Sequence, residues 1–321
     1  MFPPVASITL ADHAGAAVKL EGVYSVLPTP FRAGGEVDHA SLARVVDLAV
    51  QAGVDGVTAL GVTGEAARLG DRERTAVVET VVRQVAGRCR VVVGTSADGL
   101  RICVERSQEA RALGASAIMV SPPRAATLNS ESVVNHFRSV AEAVDLLIVV
   151  QDCPPLSGFA MEAGLLARIA REVPAARTIK LEDPPTPFKT TRILKAAGET
   201  RVAILGGLGG VFLLEELLAG AAGVMTGFGF PEALVRIVSL FKSGQIDEAA
   251  DLFFTFLPLM RFEYQEHIGM AVRKEVLRRR GALADASTRT PGAVLDEGTR
   301  LALDRVLAWT AKQKGASWIL G

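Results

Sequence analysis

Tyrosine and tryptophan occur only twice each in the 321 residues, cysteine three times and lysine eight times. Cys89, Cys103 and Cys153 stand far apart. Without paired spacing they supply neither a disulfide framework nor a metal cluster, and they fit a reducing, cytoplasmic compartment. Net charge is missing too. Lys plus Arg and Asp plus Glu both total 35, so no field of one sign draws the chain to nucleic acid or to an anionic membrane. Residues 1–20 lack a cationic start followed by a long apolar core, and later apolar runs are broken by charge. Neither a secretory leader nor a membrane span is expected. No Gly-x-Gly-x-x-Gly opens the first helix, which sets a doubly wound dinucleotide fold aside. Disorder is excluded by an apolar content of 49%, enough for a large core.

What is present is an alternation. Residues 1–20 read as an N-terminal extension without a strong period. From residue 21 onward, short apolar runs at 23–29, 56–60, 90–93, 116–120, 146–151, 176–180, 202–205 and 222–226 read as strands. Between and after them, helical periodicity runs over 41–51, 71–86, 100–113, 131–143, 163–172, 187–197, 211–219 and 232–242, with Asp71 expected as a cap. Buried parallel strands are short apolar runs rather than alternating ones. Eight strand–helix units within about 220 residues is the span of a (β/α)8 TIM barrel, here residues 21–244. Beyond it the pattern is purely helical at 246–259, 263–280 and 295–312. Residues 245–321 are read as a C-terminal helical appendage.

In such barrels the chemistry sits at the carboxyl ends of the strands. One lysine among the eight, Lys180 in Arg177-Thr178-Ile179-Lys180-Leu181-Glu182-Asp183-Pro184-Pro185, combines a strand-end position with an apolar approach. An amine at the mouth of a buried strand is a candidate carbonyl-attacking nucleophile; the plainer alternative is a lysine snorkelling at the rim. The loop Gly61-Val62-Thr63-Gly64-Glu65 follows the second strand, and its small residues, backbone N–H groups and Thr63 hydroxyl are suited to a small carboxylate. Glu65 reads as a buried hydrogen-bonding strut. Gln151 can orient a water or hydroxyl but exchanges no proton near neutrality. The nearest carboxylates to the site are Asp152 and Glu182, either of which can also simply solvate its loop. Arg124 is a candidate anion contact or an ordinary surface residue, and Cys153 a small buried filler. The run Gly206-Gly207-Leu208-Gly209-Gly210 lies where many barrels bind phosphate, or else gives a lysine adduct room.

Several segments together resemble one family. They are Gly22–Phe31 (GVYSVLPTPF), the GVTGE loop with Leu69 and Glu73 after it, His136-Phe137, Pro154 with Gly158, and Ile179-Lys180. The chain is similar over about residues 21–280 to the dihydrodipicolinate synthase and N-acetylneuraminate lyase family of Schiff-base aldolases. The resemblance implies a cytoplasmic lyase without metal or organic cofactor that works as a homo-oligomer, dimer or tetramer. It further implies that Lys180 condenses with the ketone of pyruvate or another small 2-oxo acid while Thr63 helps to hold the carboxylate. Val62, Gly64, Arg124, Gly207 and Met225 complete the expected substrate lining; Gln151, Asp152 and Glu182 join Lys180 as expected catalytic residues.

The departures from that pattern redirect the reaction. The family's tyrosine at the end of strand five is Gln151 here, its relay threonine is Val62, and the Pro-Tyr-Tyr loop after strand four is Pro122-Pro123-Arg124. The two tyrosines present, Tyr24 and Tyr264, match neither family position. Leu156 stands where the synthase grips its aldehyde substrate with an arginine. A true dihydrodipicolinate synthase is therefore not expected. The expected chemistry is C–C cleavage or condensation, or dehydration or deamination of a 2-keto-3-deoxy-type acid. The competing reading is an impaired barrel that binds a 2-oxo acid or phosphate ligand as a sensor or scaffold.

Overall fold

A computed structural model of the chain describes residues 20–320; the N-terminal extension read over 1–20 lies outside them except for Leu20. The chain alternates β1 (Gly22–Val26), α1 (His39–Gln51), β2 (Gly56–Ala59), α2 (Asp71–Val85), β3 (Arg90–Gly94), α3 (Leu100–Ala112), β4 (Ala117–Val120) and α4 (Ser130–Ala143). It continues with β5 (Leu147–Asp152), short α5 (Pro154–Ser157), α6 (Ala163–Glu172), β6 (Thr178–Leu181), α7 (Thr186–Ala197), β7 (Ala203–Gly206), α8 (Leu213–Leu218), β8 (Gly223–Thr226) and α9 (Pro231–Lys242). The eight strands pair in parallel, each with its sequence neighbours, and β8 closes on β1. The fold is a TIM barrel. Three helices follow, α10 (Ile246–Glu263), α11 (Gly269–Arg279) and α12 (Glu297–Ala311).

Strand alternation divides the apolar residues into two cores. Leu20, Tyr24, Val26, Val92, Ala117, Met119, Val149, Leu205 and Met225 fill the barrel interior. The alternate residues, such as Ile179 and Leu181 of β6, join the larger layer between strands and helices. Helix starts follow side-chain chemistry: Asp38, Asn129 and Asp296 accept the N–H groups of Ser41, Ser132 and Thr299 respectively. The cap expected at Asp71 falls one residue earlier. Gly70 precedes the helix and donates its N–H to the Glu73 carboxylate at 3.0 Å, leaving Asp71 free to pair with Arg106 at 3.1 Å. Short α5 falls on a stretch that sequence periodicity leaves unassigned, because four residues are too few to show a period.

Glu216 of α8 is buried against the barrel. Its Oε1 accepts the Thr186 hydroxyl at 2.6 Å, while Oε2 has no partner. Burial raises this carboxyl from 4.5 to about 7, against the Thr186 hydrogen bond. A folded value above the unfolded one means that the linked stability is complete below the unfolded value and lost as pH rises through the folded one. Glu216→Gln keeps the acceptor for Thr186 and cannot ionise. Thermal unfolding should therefore show the variant gaining on the wild type between about pH 5 and pH 8, by on the order of 2–3 kcal/mol. Parallel stability–pH curves for the two proteins would exclude this role for Glu216.

Candidate functional site

β6 pairs Lys180 with Gln151 on one side and Leu205 on the other. Its flanking residues Ile179 and Leu181 face the helices, so the Lys180 side chain points into the barrel, where it is 4% exposed. The inner apolar layer lies beneath it. Two residues on, Glu182 shares the same face. Its Oε2 lies 3.0 Å from Lys180 Nζ and accepts a 2.8 Å hydrogen bond from Gln151 Nε2. Among the described residues, Glu182 Oε1 has no protein hydrogen-bond donor.

The polar chain continues across the barrel mouth. Gln151 Oε1 accepts the Ser121 hydroxyl at 3.2 Å, and the Ser121 and Ser96 hydroxyls lie 3.2 Å apart. The Ser121 N–H also donates to Ser96 Oγ at 3.0 Å. Residues from the ends of four consecutive strands thus form one line from Ser96 to Lys180. Gly207, at the end of β7, makes room for it: a Cβ there would lie 2.2 Å from Glu182 Cγ, a separation that side chains do not tolerate.

On the far side of β2, Val62–Gly64 forms a single tight turn. Val62 is 54% exposed, whereas the Thr63 hydroxyl is buried without a hydrogen-bond partner. The Gly64 carbonyl accepts the Thr29 hydroxyl at 2.6 Å. Glu65 is a buried strut at φ +52°. One carboxylate oxygen takes Lys274 Nζ at 2.5 Å. The other takes Arg68 at 2.7 Å and the Arg289 N–H at 2.9 Å. The Lys274 ammonium and the Arg289 guanidinium each lie 4.4 Å from the centre of the Phe31 ring.

Lys180, Glu182, Gln151 and Gly207 are thus brought together. Asp152 is not among them. One residue beyond Gln151, it falls on the opposite face of β5, and its Oδ2 takes Lys189 Nζ at 2.6 Å. Asp183 holds the same ammonium at 2.6 Å. Burial raises the Asp152 carboxyl to about 6, with the Lys189 hydrogen bond opposing. This triplet braces α7 against the barrel. Arg124 donates through Nε to the Leu156 carbonyl at 2.6 Å and through Nη2 to the Pro155 carbonyl at 3.1 Å, strapping the β4 loop to the β5 loop. Met225 lies wholly inside the barrel core.

Sequence reasoning leaves Ser96, Ser121 and Lys189 without roles. The strand period would have found the two serines, since Ser96 and Ser121 follow the inward phase of Val92 and Met119; Lys189 lies on α7, outside any strand period. Of the two tyrosines, Tyr24 is level with the first residues of β2 and β3, at the amino end of the barrel. Tyr264 follows α10 directly and lies against the Gly207–Gly210 loop. Among the described residues no group of three or more His, Cys, Asp or Glu side chains is placed to hold a metal ion. No helix among them is long and apolar enough to cross a membrane.

Known proteins are similar to this chain in sequence and in fold. The model of the dihydrodipicolinate synthetase family matches residues 19–309. An L-2-keto-3-deoxyarabonate dehydratase from Azospirillum brasilense is 34% identical over 285 residues, covering 88% of this chain and 92% of its own. The crystal structure of a dihydrodipicolinate synthase from Rhodopseudomonas palustris is similar with a TM-score of 0.85 and 35% identity, over 90% of this chain and 97% of that one. A prophage protein of the dihydrodipicolinic acid synthase family from E. coli K12, solved in complex with pyruvate, has a TM-score of 0.85 at 25% identity, over 91% and 99%. By the family match across nearly all of its barrel and appendage, the chain belongs to the dihydrodipicolinate synthetase family of lyases.

Proposed function

We propose that this chain is a Schiff-base-forming dehydratase of a small 2-keto-3-deoxy acid. The observation that carries the reading is a carboxylate, Glu182, held within 3.0 Å of the Lys180 amine and oriented by Gln151 rather than by a tyrosine. The Lys180 ammonium gives up a proton and the neutral amine attacks the C2 ketone. That proton goes to the carbinolamine hydroxyl, water leaves and an iminium forms. Glu182 takes a proton from C3, and that electron pair becomes the C2=C3 bond of an enamine. The enamine expels the C4 hydroxyl, and Glu182 returns its proton to that group, so one water departs. Addition of another water at C2 frees the unsaturated 2-oxo acid and restores Lys180. A single carboxylate therefore cycles without net proton change. The buried Thr63 hydroxyl, lacking a protein partner, is suited to the substrate carboxylate.

Elimination is favoured over aldol chemistry by what stands at residue 151. Delivering a proton to an aldehyde oxygen calls for a titratable relay, and an amide does not titrate. The Azospirillum relative, a dehydratase by name, and the pyruvate complex of the E. coli relative both support the assignment. Assembly as a homodimer or homotetramer, with no organic cofactor, is part of the same proposal.

Borohydride reduction with pyruvate should add mass irreversibly to the peptide carrying Lys180. Labelling of Lys189 or Lys195 instead, or none up to about pH 9, overturns the assignment. Glu182→Gln should still be trapped but should lose elimination by about 10²–10⁴-fold, the usual scale for a positioned acid–base group; dehydration above that range would remove Glu182 from the reaction. Gly207→Ala, which drives a methyl group into Glu182 Cγ, should likewise lower turnover of a 2-keto-3-deoxy acid while trapping by pyruvate persists. Condensation of pyruvate with aspartate semialdehyde should be barely measurable, and brisk turnover there would favour the synthase.

A further inference from the structure

The loop after β7 carries two contacts of the same kind. At Gly207 an added Cβ would strike Glu182. Two residues along, at Gly209, it would lie 2.8 Å from Tyr264 Cβ and 2.9 Å from both Cγ and Cδ2. Gly209 also has φ +69°, a left-handed backbone that glycine adopts without strain. One short stretch of bare backbone thus seats the acid–base carboxylate on one side and a tyrosine ring on the other.

That tyrosine comes from the appendage, just beyond α10. Its backbone is fixed: the Tyr264 N–H donates to the Met260 carbonyl at 3.0 Å. The preceding residue, Glu263, is fully buried, taking the Gly229 N–H at 2.9 Å and Arg273 Nε at 3.3 Å. The ring is not packed away, since Tyr264 is 42% exposed. Partial burial raises the phenol, and the charge of Glu182 raises it further. It therefore stays protonated near neutrality and serves as a hydrogen-bond donor. Tyr24, the other tyrosine, is sealed in the barrel interior.

We propose that Tyr264 is a specificity-determining residue at the mouth of the Lys180 pocket, its phenol donating to a hydroxyl on the distal carbons of a polyhydroxylated 2-oxo acid. This assignment rests on the Lys180 reading above. A substrate anchored at C2 by Lys180 and at C1 by Thr63 directs its remaining carbons past Glu182. Two residues past Gly207 on that loop, the Tyr264 ring packs against Gly209. A phenol there offers one neutral hydrogen bond to a hydroxyl that pyruvate does not have. The ring also covers the carbon chain.

The test compares two ligands on the full-length protein. Borohydride trapping is titrated with pyruvate and with a five-carbon 2-keto-3-deoxy acid in wild type and Tyr264→Phe. The variant keeps the ring and loses only the hydroxyl. The concentration giving half-maximal trapping should rise about three- to tenfold for the hydroxylated acid, as expected for one neutral hydrogen bond, and stay within twofold for pyruvate. In turnover the loss should fall chiefly on KM, with kcat little changed. Equal shifts for both ligands would show a structural effect and overturn the proposal. So would a variant indistinguishable from wild type on the hydroxylated acid. If wild type itself fails to be trapped by pyruvate, the Lys180 reading fails and this one with it. Normal wild-type trapping with an unaffected variant removes the Tyr264 role alone.

Discussion

An ammonium and a carboxylate held 3.0 Å apart inside an apolar barrel are the constraint that the site is built around. Each ion alone would cost several kcal/mol to bury. Their attraction at an effective dielectric near 20 is roughly 5–6 kcal/mol, so neither side is a surplus. The pair is stable because its neighbours complete it. Gln151 gives Glu182 a second donor, Ser121 fixes the amide's orientation, and Gly207 leaves the carboxylate its space. Removing a partner leaves a buried charge uncompensated, and forming a carbon–nitrogen bond changes what Glu182 faces.

The architecture was legible because it repeats. Eight apolar runs, each followed by a helical period, admit few folds, and β6 runs to Leu181, one residue past the end expected at Lys180. Lys180 and Glu182 were legible as a pair for a simpler reason, since two residues apart on a strand share a face. The same rule separates Gln151 from Asp152. Reading them as a unit overlooked that neighbours on a strand look opposite ways, and Asp152 is spent on Lys189. Arg124 illustrates a different limit. A charged side chain on a loop advertises an anion contact, but loop carbonyls compete for the same donors, and here those of Pro155 and Leu156 hold two of them. Tyr264 could not be placed from sequence. Nothing local marks a residue just past a helix end as belonging to a loop far earlier in the chain.

The groups proposed to be catalytic and those proposed to hold substrate are built from different materials. Lys180 and Gln151 stand on β-strands, paired in register, and Glu182 follows the end of β6 directly. The Thr63 turn and the Tyr264 ring stand on connections and an appended helix. On the proposed reading, rigid elements carry the bond-making atoms, while segments that vary without disturbing the barrel decide what is bound.

The Glu65 strut has an implication for how the molecule is made. Its partners Lys274 and Arg289 lie 209 and 224 residues further along the chain. During synthesis the eight strands are all available before either partner has emerged. A closed barrel can thus assemble with the Glu65 carboxylate beneath the Val62–Gly64 turn paired to Arg68 alone, and its remaining donors arrive only with the tail. Contacts of such long separation are among the last to form, because loop closure must precede them. The tail thus acts as a completion latch: the footing of the Val62–Gly64 turn is finished only after residues 274 and 289 have been made.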